Sequence, residues 1–173
     1  MEEEFSPLLL SIFFDITLQP ISIGIALNFI VILLMLFCSA LISGAEVAYF
    51  SLTPNDVEDL NQEKSKKALL TLKLLEKPNK LLATILITNN FINIGIIILS
   101  TYLTASIFQF PENSIMEFMF QIVVITFVIV LFGEITPKVY ANRNALWFSK
   151  WMSIPLNLSS KLFSPLSYLL TSS

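Results

Sequence analysis

Two long runs of this chain carry no charge, and a third carries one charge at its outer end. Residues 23–42, IGIALNFIVILLMLFCSALI, are the first run. Twenty helical residues reach roughly 30 Å, the thickness of a bilayer's hydrocarbon core. The pattern predicts a spanning helix over about 22–50, continuing through Ser43, Gly44, Glu46 and Tyr49 to stop ahead of Thr53-Pro54. Residues 81–108 hold 28 uncharged positions and predict a second span, long enough to cross with tilt. The third run follows Glu117 and leads into Gly133-Glu134-Ile135-Thr136-Pro137-Lys138, predicting a span over about 115–140.

The intervening segments read differently. Residues 55–80, NDVEDLNQEKSKKALLTLKLLEKPNK, are charged yet keep leucines at helical spacing. Thr53 followed by Pro54 is a helix start, and Asp56, Glu58 and Asp59 suit its positive end. One or two amphipathic helices are expected over 54–80, broken at Pro78-Asn79. Pro111-Glu112-Asn113 marks a short turn between the second and third spans. Over 143–170, Pro155 and Pro165 argue against a fourth straight span. Trp147 and Trp151 near Lys150 and Lys161 suggest segments lying at the membrane interface instead. Residues 1–20 are expected to be an external segment, interfacial through Phe13 and Phe14. The opening Met1-Glu2-Glu3-Glu4 lacks the positive start of a secretory signal.

Composition fits a membrane. Of 173 residues, 55% are hydrophobic and 13% charged, about half the share usual in soluble domains. The expected fold class is an all-α membrane protein, with three transmembrane helices and juxtamembrane amphipathic helices over 54–80 and 143–170. There is no histidine and one cysteine, Cys38. That excludes a disulfide within the chain and the usual zinc, copper and haem sites. It also removes the commonest general base, so an enzyme is not expected. A net charge of −3 gives no reason to expect nucleic acid as a partner. All ten basic residues lie at 64–80 or 138–161. With three spans both stretches fall on one side, which the positive-inside rule makes the cytoplasm. The N-terminus is then outside and the C-terminus inside, with the bilayer of the bacterial inner membrane between them.

Polar groups inside a membrane are costly and mark functional candidates. Three clusters stand out: Ser43-Gly44-Ala45-Glu46, Asn89-Asn90 with Asn93, and Gly133-Glu134 with Thr136-Pro137-Lys138. Counted along their helices, all three reach the inner half of the bilayer. Asn90 lies roughly 13 Å deep and Glu134 roughly 6 Å above Lys138. Asn90 and Asn93 share a helix face, as do Ser43 and Glu46. Pro137 has no N–H, so in an α-helix the Gly133 carbonyl loses its partner beside the Glu134 carboxylate. Hydroxyl, amide, carbonyl and carboxylate oxygens are hard ligands suited to Mg²⁺, Ca²⁺ or Na⁺, and the donor set does not separate these ions. The plainer roles are close packing for Ser43-Gly44, interhelical hydrogen bonding for the asparagines and above all Asn89, a kink at Pro137, and pairing of Glu46, or of Glu134, with Lys138 or a neighbouring lysine.

The stretches SGAEVAYFSLTP, LLATILITNNFINI and FGEITPK resemble, in order, three signature motifs of the CNNM/CorC transmembrane domain. The resemblance covers residues 20–170. It implies Mg²⁺ export, driven by the sodium gradient, through a homodimer with an inward-facing cavity. It implies Mg²⁺ near Ser43, Asn90, the Gly133 carbonyl and Glu134, with Gly44, Glu46, Asn89, Asn93, Pro137 and Lys138 around them. Family members usually continue into ATP-binding CBS modules. This sequence stops at Ser173, so no ATP site carries over, and a longer parent protein is expected. The alternative function is a Mg²⁺-sensing membrane scaffold that regulates another transporter.

Overall fold

The computed structural model describes residues 17–18, 22–109 and 119–163. Its elements are β1 (Thr17–Leu18), α1 (Ile23–Phe50), α2 (Pro54–Glu63), α3 (Lys66–Leu75), α4 (Pro78–Ile107), β2 (Phe108–Gln109), α5 (Gln121–Arg143) and α6 (Ala145–Leu162). Helices α1, α4 and α5 are long and apolar enough to cross a membrane. The chain is thus an all-α, multi-pass membrane protein with one short antiparallel β ladder, Thr17 opposite Gln109 and Leu18 opposite Phe108. Residues 1–16 and 19–21, the Pro111 turn, Glu117 and Pro165 lie outside the described residues.

Two limits differ from the sequence expectation. Pro78 opens α4 at its first helical turn instead of only ending the helix before it. Proline is suited to that position because its missing N–H would have no helical partner there. At the other end, α5 runs on to Arg143, past the expected limit at 140.

Side-chain contacts set the directions of the spans. Asn28 of α1 donates to the Leu99 carbonyl of α4 at 3.4 Å, and Ser39 of α1 reaches Asn89 and Asn93 of α4, so these helices run antiparallel. Along α5, Ser39 lies against Gly133, Gly44 against Pro137, and Glu46 against Lys138, so α1 and α5 run parallel. Most of the remaining span surface is apolar and exposed, as at Phe37, Ile98 and Phe127. That surface suits hydrocarbon, since a helix satisfies its backbone within its own segment. One small buried cluster, Ile32, Ile96 and Ile129, joins the three spans in the half nearer the β ladder.

The main buried cluster lies at the opposite end, where α3 and α6 close over α1 and α4. Helix α6 buries Phe148, Ser149, Met152, Ser153 and Leu156 on one stripe. The buried Tyr49 hydroxyl of α1 donates to the Ser149 carbonyl at 3.1 Å. On another face α6 exposes Trp147, Trp151, Ile154, Leu158 and Leu162, with the two indoles stacked at 6.1 Å.

Helix α2 is closed at its start by a reciprocal cap. The Asp56 N–H donates to the Thr53 hydroxyl, while the Thr53 N–H donates to the Asp56 carboxylate at 2.8 Å. The Thr53 hydroxyl and N–H hold the Asp56 carboxyl below the usual carboxylate range. A carboxyl depressed on folding contributes stability above its unfolded pKa and loses it as pH falls through the folded value. Amide exchange over residues 54–63 should therefore accelerate as pH drops below the ordinary carboxylate range, after correction for intrinsic rates. Asp56→Asn should remove that pH dependence. Further along, Lys150 of α6 donates to Glu63 at 2.7 Å, which with the Ser65 hydroxyl lowers the Glu63 pKa and ties α2 to α6.

Candidate cation site

The polar network begins at Ser39, which is fully buried midway along α1. Its hydroxyl lies 2.7 Å from the Asn93 Oδ1 and 3.0 Å from the Asn89 Oδ1, and shares one hydrogen between them. Asn93 then donates its amide nitrogen to the Glu134 Oε1 at 3.3 Å. Ser39 thus fixes which way the Asn93 amide points, and Asn93 in turn holds the carboxylate. Glu134 makes no other hydrogen bond among the described residues, which leaves its second oxygen available. Sequence reasoning missed Ser39. The available signal was its spacing of four from Ser43, which puts both hydroxyls on one helix face.

Ser43 is 1% exposed, and its Oγ has no hydrogen-bond partner among the described residues. Leaving a buried hydroxyl unsatisfied costs about 1–3 kcal/mol. Serines in helices commonly offset this by bonding a carboxyl-terminal-facing carbonyl one turn back, as Thr88 does to Thr84 at 2.7 Å. The bare Ser43 oxygen, in the turn next to Ser39, is the clearest opening for a ligand.

Gly133 is buried, and a Cβ there would sit 3.2 Å from the Ser39 Oγ. Glycine lets α5 approach the network closely. Around it, Ile129–Ile135 is π-helical, and the Thr136 N–H donates five residues back to Leu131. In that register Pro137 fails the carbonyl of Phe132, whereas in the four-residue register it would fail Gly133. The π register thus shifts the carbonyl that Pro137 leaves open from Gly133 to its neighbour Phe132. Single π turns inside helices are frequent at functional sites.

The other candidates separate. Glu46 and Lys138 pair at 3.0 Å, each a little over a third exposed. That leaves Glu134 as the carboxylate of the cluster without a cationic partner. Gly44 packs against Phe148 and the Pro137 carbonyl. Asn90 is exposed and makes no hydrogen bond among the described residues. Asn89 and Asn93, not Asn90 and Asn93, form the face that meets Ser39. Among the described residues no three of Asp, Glu, Cys and His gather. Any cation here would rest mainly on neutral oxygens and one carboxylate. Ser39→Ala should lower thermal stability by about 1 kcal/mol, the scale of interhelical hydrogen bonds in membranes. Differential scanning fluorimetry in detergent measures this, and an unchanged midpoint would deny the network its structural part.

Fold and site together define a three-span helical membrane protein whose spans meet over an oxygen-rich polar network. Residues 29–173 match the cyclin M transmembrane N-terminal domain, and the chain belongs to this CNNM family. It is 34% identical over 149 residues to a UPF0053 protein of Haemophilus influenzae, covering 86% of this chain and 34% of that one. It is 29% identical over 142 residues to the metal transporter cnnm-4 of Caenorhabditis elegans, covering 79% and 29%. It is also 29% identical over 135 residues to the UPF0053 inner membrane protein YfjD of Escherichia coli, covering 76% and 30%. The chain therefore spans about a third of the length of these relatives.

Proposed function

We propose that this chain is the membrane-spanning part of a Mg²⁺ transporter that exports the ion, coupled to Na⁺, and is not an enzyme. The observation that carries the reading is the buried, unpartnered Ser43 hydroxyl beside the network of Ser39, Asn89, Asn93 and Glu134. Ser43, Asn90, the Gly133 carbonyl and Glu134 would contact the ion, with Phe132 offering a further backbone oxygen. One carboxylate among neutral oxygens suits Mg²⁺ that keeps part of its water, because this small cation dehydrates reluctantly. The relative named as a metal transporter supports a cation as cargo.

The span directions put the segments carrying all ten basic residues at the end of the bundle where α3 and α6 pack. In the proposed orientation that end is cytoplasmic, the N-terminus is external, and α2, α3 and α6 lie at the inner face. Asn90, exposed and without a hydrogen bond among the described residues, would then serve the ion or a second subunit of a homodimer. ATP-binding modules would belong to a longer parent protein.

The test is Mg²⁺ flux through the purified full-length parent in liposomes, with and without an opposing Na⁺ gradient. Flux that depends on protein and on the gradient is the expected result. Mg²⁺ binding without any flux would instead support a sensing scaffold. Asn90→Ala should reduce flux without shifting thermal stability, because its exposed side chain makes no hydrogen bond among the described residues.

A further inference from the structure

Away from the spans' polar network, a cavity of about 270 Å³ opens where α3, α4 and α6 meet. Four lysines line it: Lys73 from α3, Lys77 and Lys80 at the start of α4, and Lys161 from α6. Glu76 is the single acid in its wall, and Asn157 and Ser160 add polar groups. Lys73, Lys77 and Lys161 form no ion pair among the described residues.

Lysines at helix ends often need no ligand to explain them. Lys73 and Lys161 sit in the last turns of α3 and α6, where a cation offsets the negative end of the helix dipole. That account fails for Lys80, and Lys77, whose N–H donates to the Leu74 carbonyl at the end of α3, also opens the next helix. Lys77 is the N-cap of α4 and Lys80 lies in its first turn, at the positive end of a 30-residue helix. No acid occupies that turn, and no side chain caps it. Cations are disfavoured there. Lys73, Lys77 and Lys161, with Lys80 beside them and an uncapped helix start, thus converge on one cavity whose wall holds a single carboxylate, Glu76.

The location narrows the counter-charge. Leu74 and Leu81 form the buried apolar part of the wall, and Leu81 is the first residue of the 28-residue uncharged run. The cavity therefore sits at the level where a spanning helix leaves hydrocarbon for headgroups. Basic pockets at that level favour anionic phosphates. We infer that this cavity binds the phosphate of an anionic phospholipid headgroup, at a site separate from the cation network.

The experiment uses the full chain in detergent, with phosphatidylglycerol and phosphatidylcholine as probes and native mass spectrometry as readout. Phosphatidylglycerol should be retained at least about tenfold better, given the effect of several clustered lysines. The triple variant Lys73→Gln, Lys77→Gln, Lys161→Gln should lose that preference while keeping its helix content by circular dichroism. The matching arginine variant should keep the preference. A control with Lys64→Gln, Lys66→Gln and Lys67→Gln changes charge by the same amount outside the cavity and should also keep it. Retained preference in the cavity glutamine variant, or equal loss in the control, would overturn the site. Excess glycerol phosphate or inorganic phosphate should not displace the lipid. Displacement by either at matched concentration would overturn the lipid as the source of the phosphate.

Discussion

In the proposed transporter, Glu134→Gln is expected to reduce Mg²⁺ flux by about ten- to a hundredfold or more, the range lost when even a supporting partner of a metal site is removed. The substitution separates charge from structure. Glutamine keeps the side-chain length and an oxygen that can accept the Asn93 amide, now 3.3 Å from Glu134. What disappears is the negative charge. Glu46 cannot replace it, because Lys138 already lies 3.0 Å from that carboxylate. Thermal stability should therefore change little while transport collapses. Flux assays and melting curves on one preparation measure both. Undiminished flux would remove Glu134 from the site, and a collapse of stability would assign it to the fold.

Gly44→Val carries the largest expected structural effect. A Cβ at Gly44 would stand 2.9 Å from the Phe148 ring and 3.3 Å from the Pro137 carbonyl. Phe148 is 5% exposed and belongs to the main buried cluster, so the ring has little room to withdraw. The Pro137 carbonyl is backbone and can move only with α5. Overpacking of this kind costs about 1–3 kcal/mol, and valine adds two methyl groups beyond the Cβ. The variant should unfold at a clearly lower temperature or accumulate poorly. Phe148→Leu should recover part of the loss, and a double-mutant cycle would show the coupling. Independent effects of the two changes would mean that Gly44 is not held by that contact.

The sequence makes the spans legible because uncharged runs leave few alternatives. It also exposes the start of α2, since Thr53, Pro54 and Asp56 are a cap written in consecutive chemistry. The Glu46–Lys138 pair was foreseeable from two opposite charges near the ends of neighbouring spans. Ser39 was harder to find, because its four-residue spacing from Ser43 is a faint cue inside an apolar run until Asn89 and Asn93 of another helix meet it. Choosing between Asn89 and Asn90 was harder still. Each can share a face with Asn93, at spacings of four and three, and packing against α1 decides between them. The π register of α5 has only Gly133 and Pro137 as local cues, and neither fixes the number of residues per turn. Pro78 shows the converse ambiguity, because proline can close one helix or open the next.

Helix α6 has two apolar stripes, and its inner one is fastened to α1 through the Tyr49–Ser149 hydrogen bond and the packing of Met152 and Leu156. In the proposed orientation its tryptophan-bearing stripe floats in the inner leaflet. Spreading of the spans at that end would then have to push α6 sideways through lipid. The work of such a movement would depend on how tightly that leaflet is packed, so chain unsaturation and lateral pressure become forces acting on α1 within one turn of Glu46.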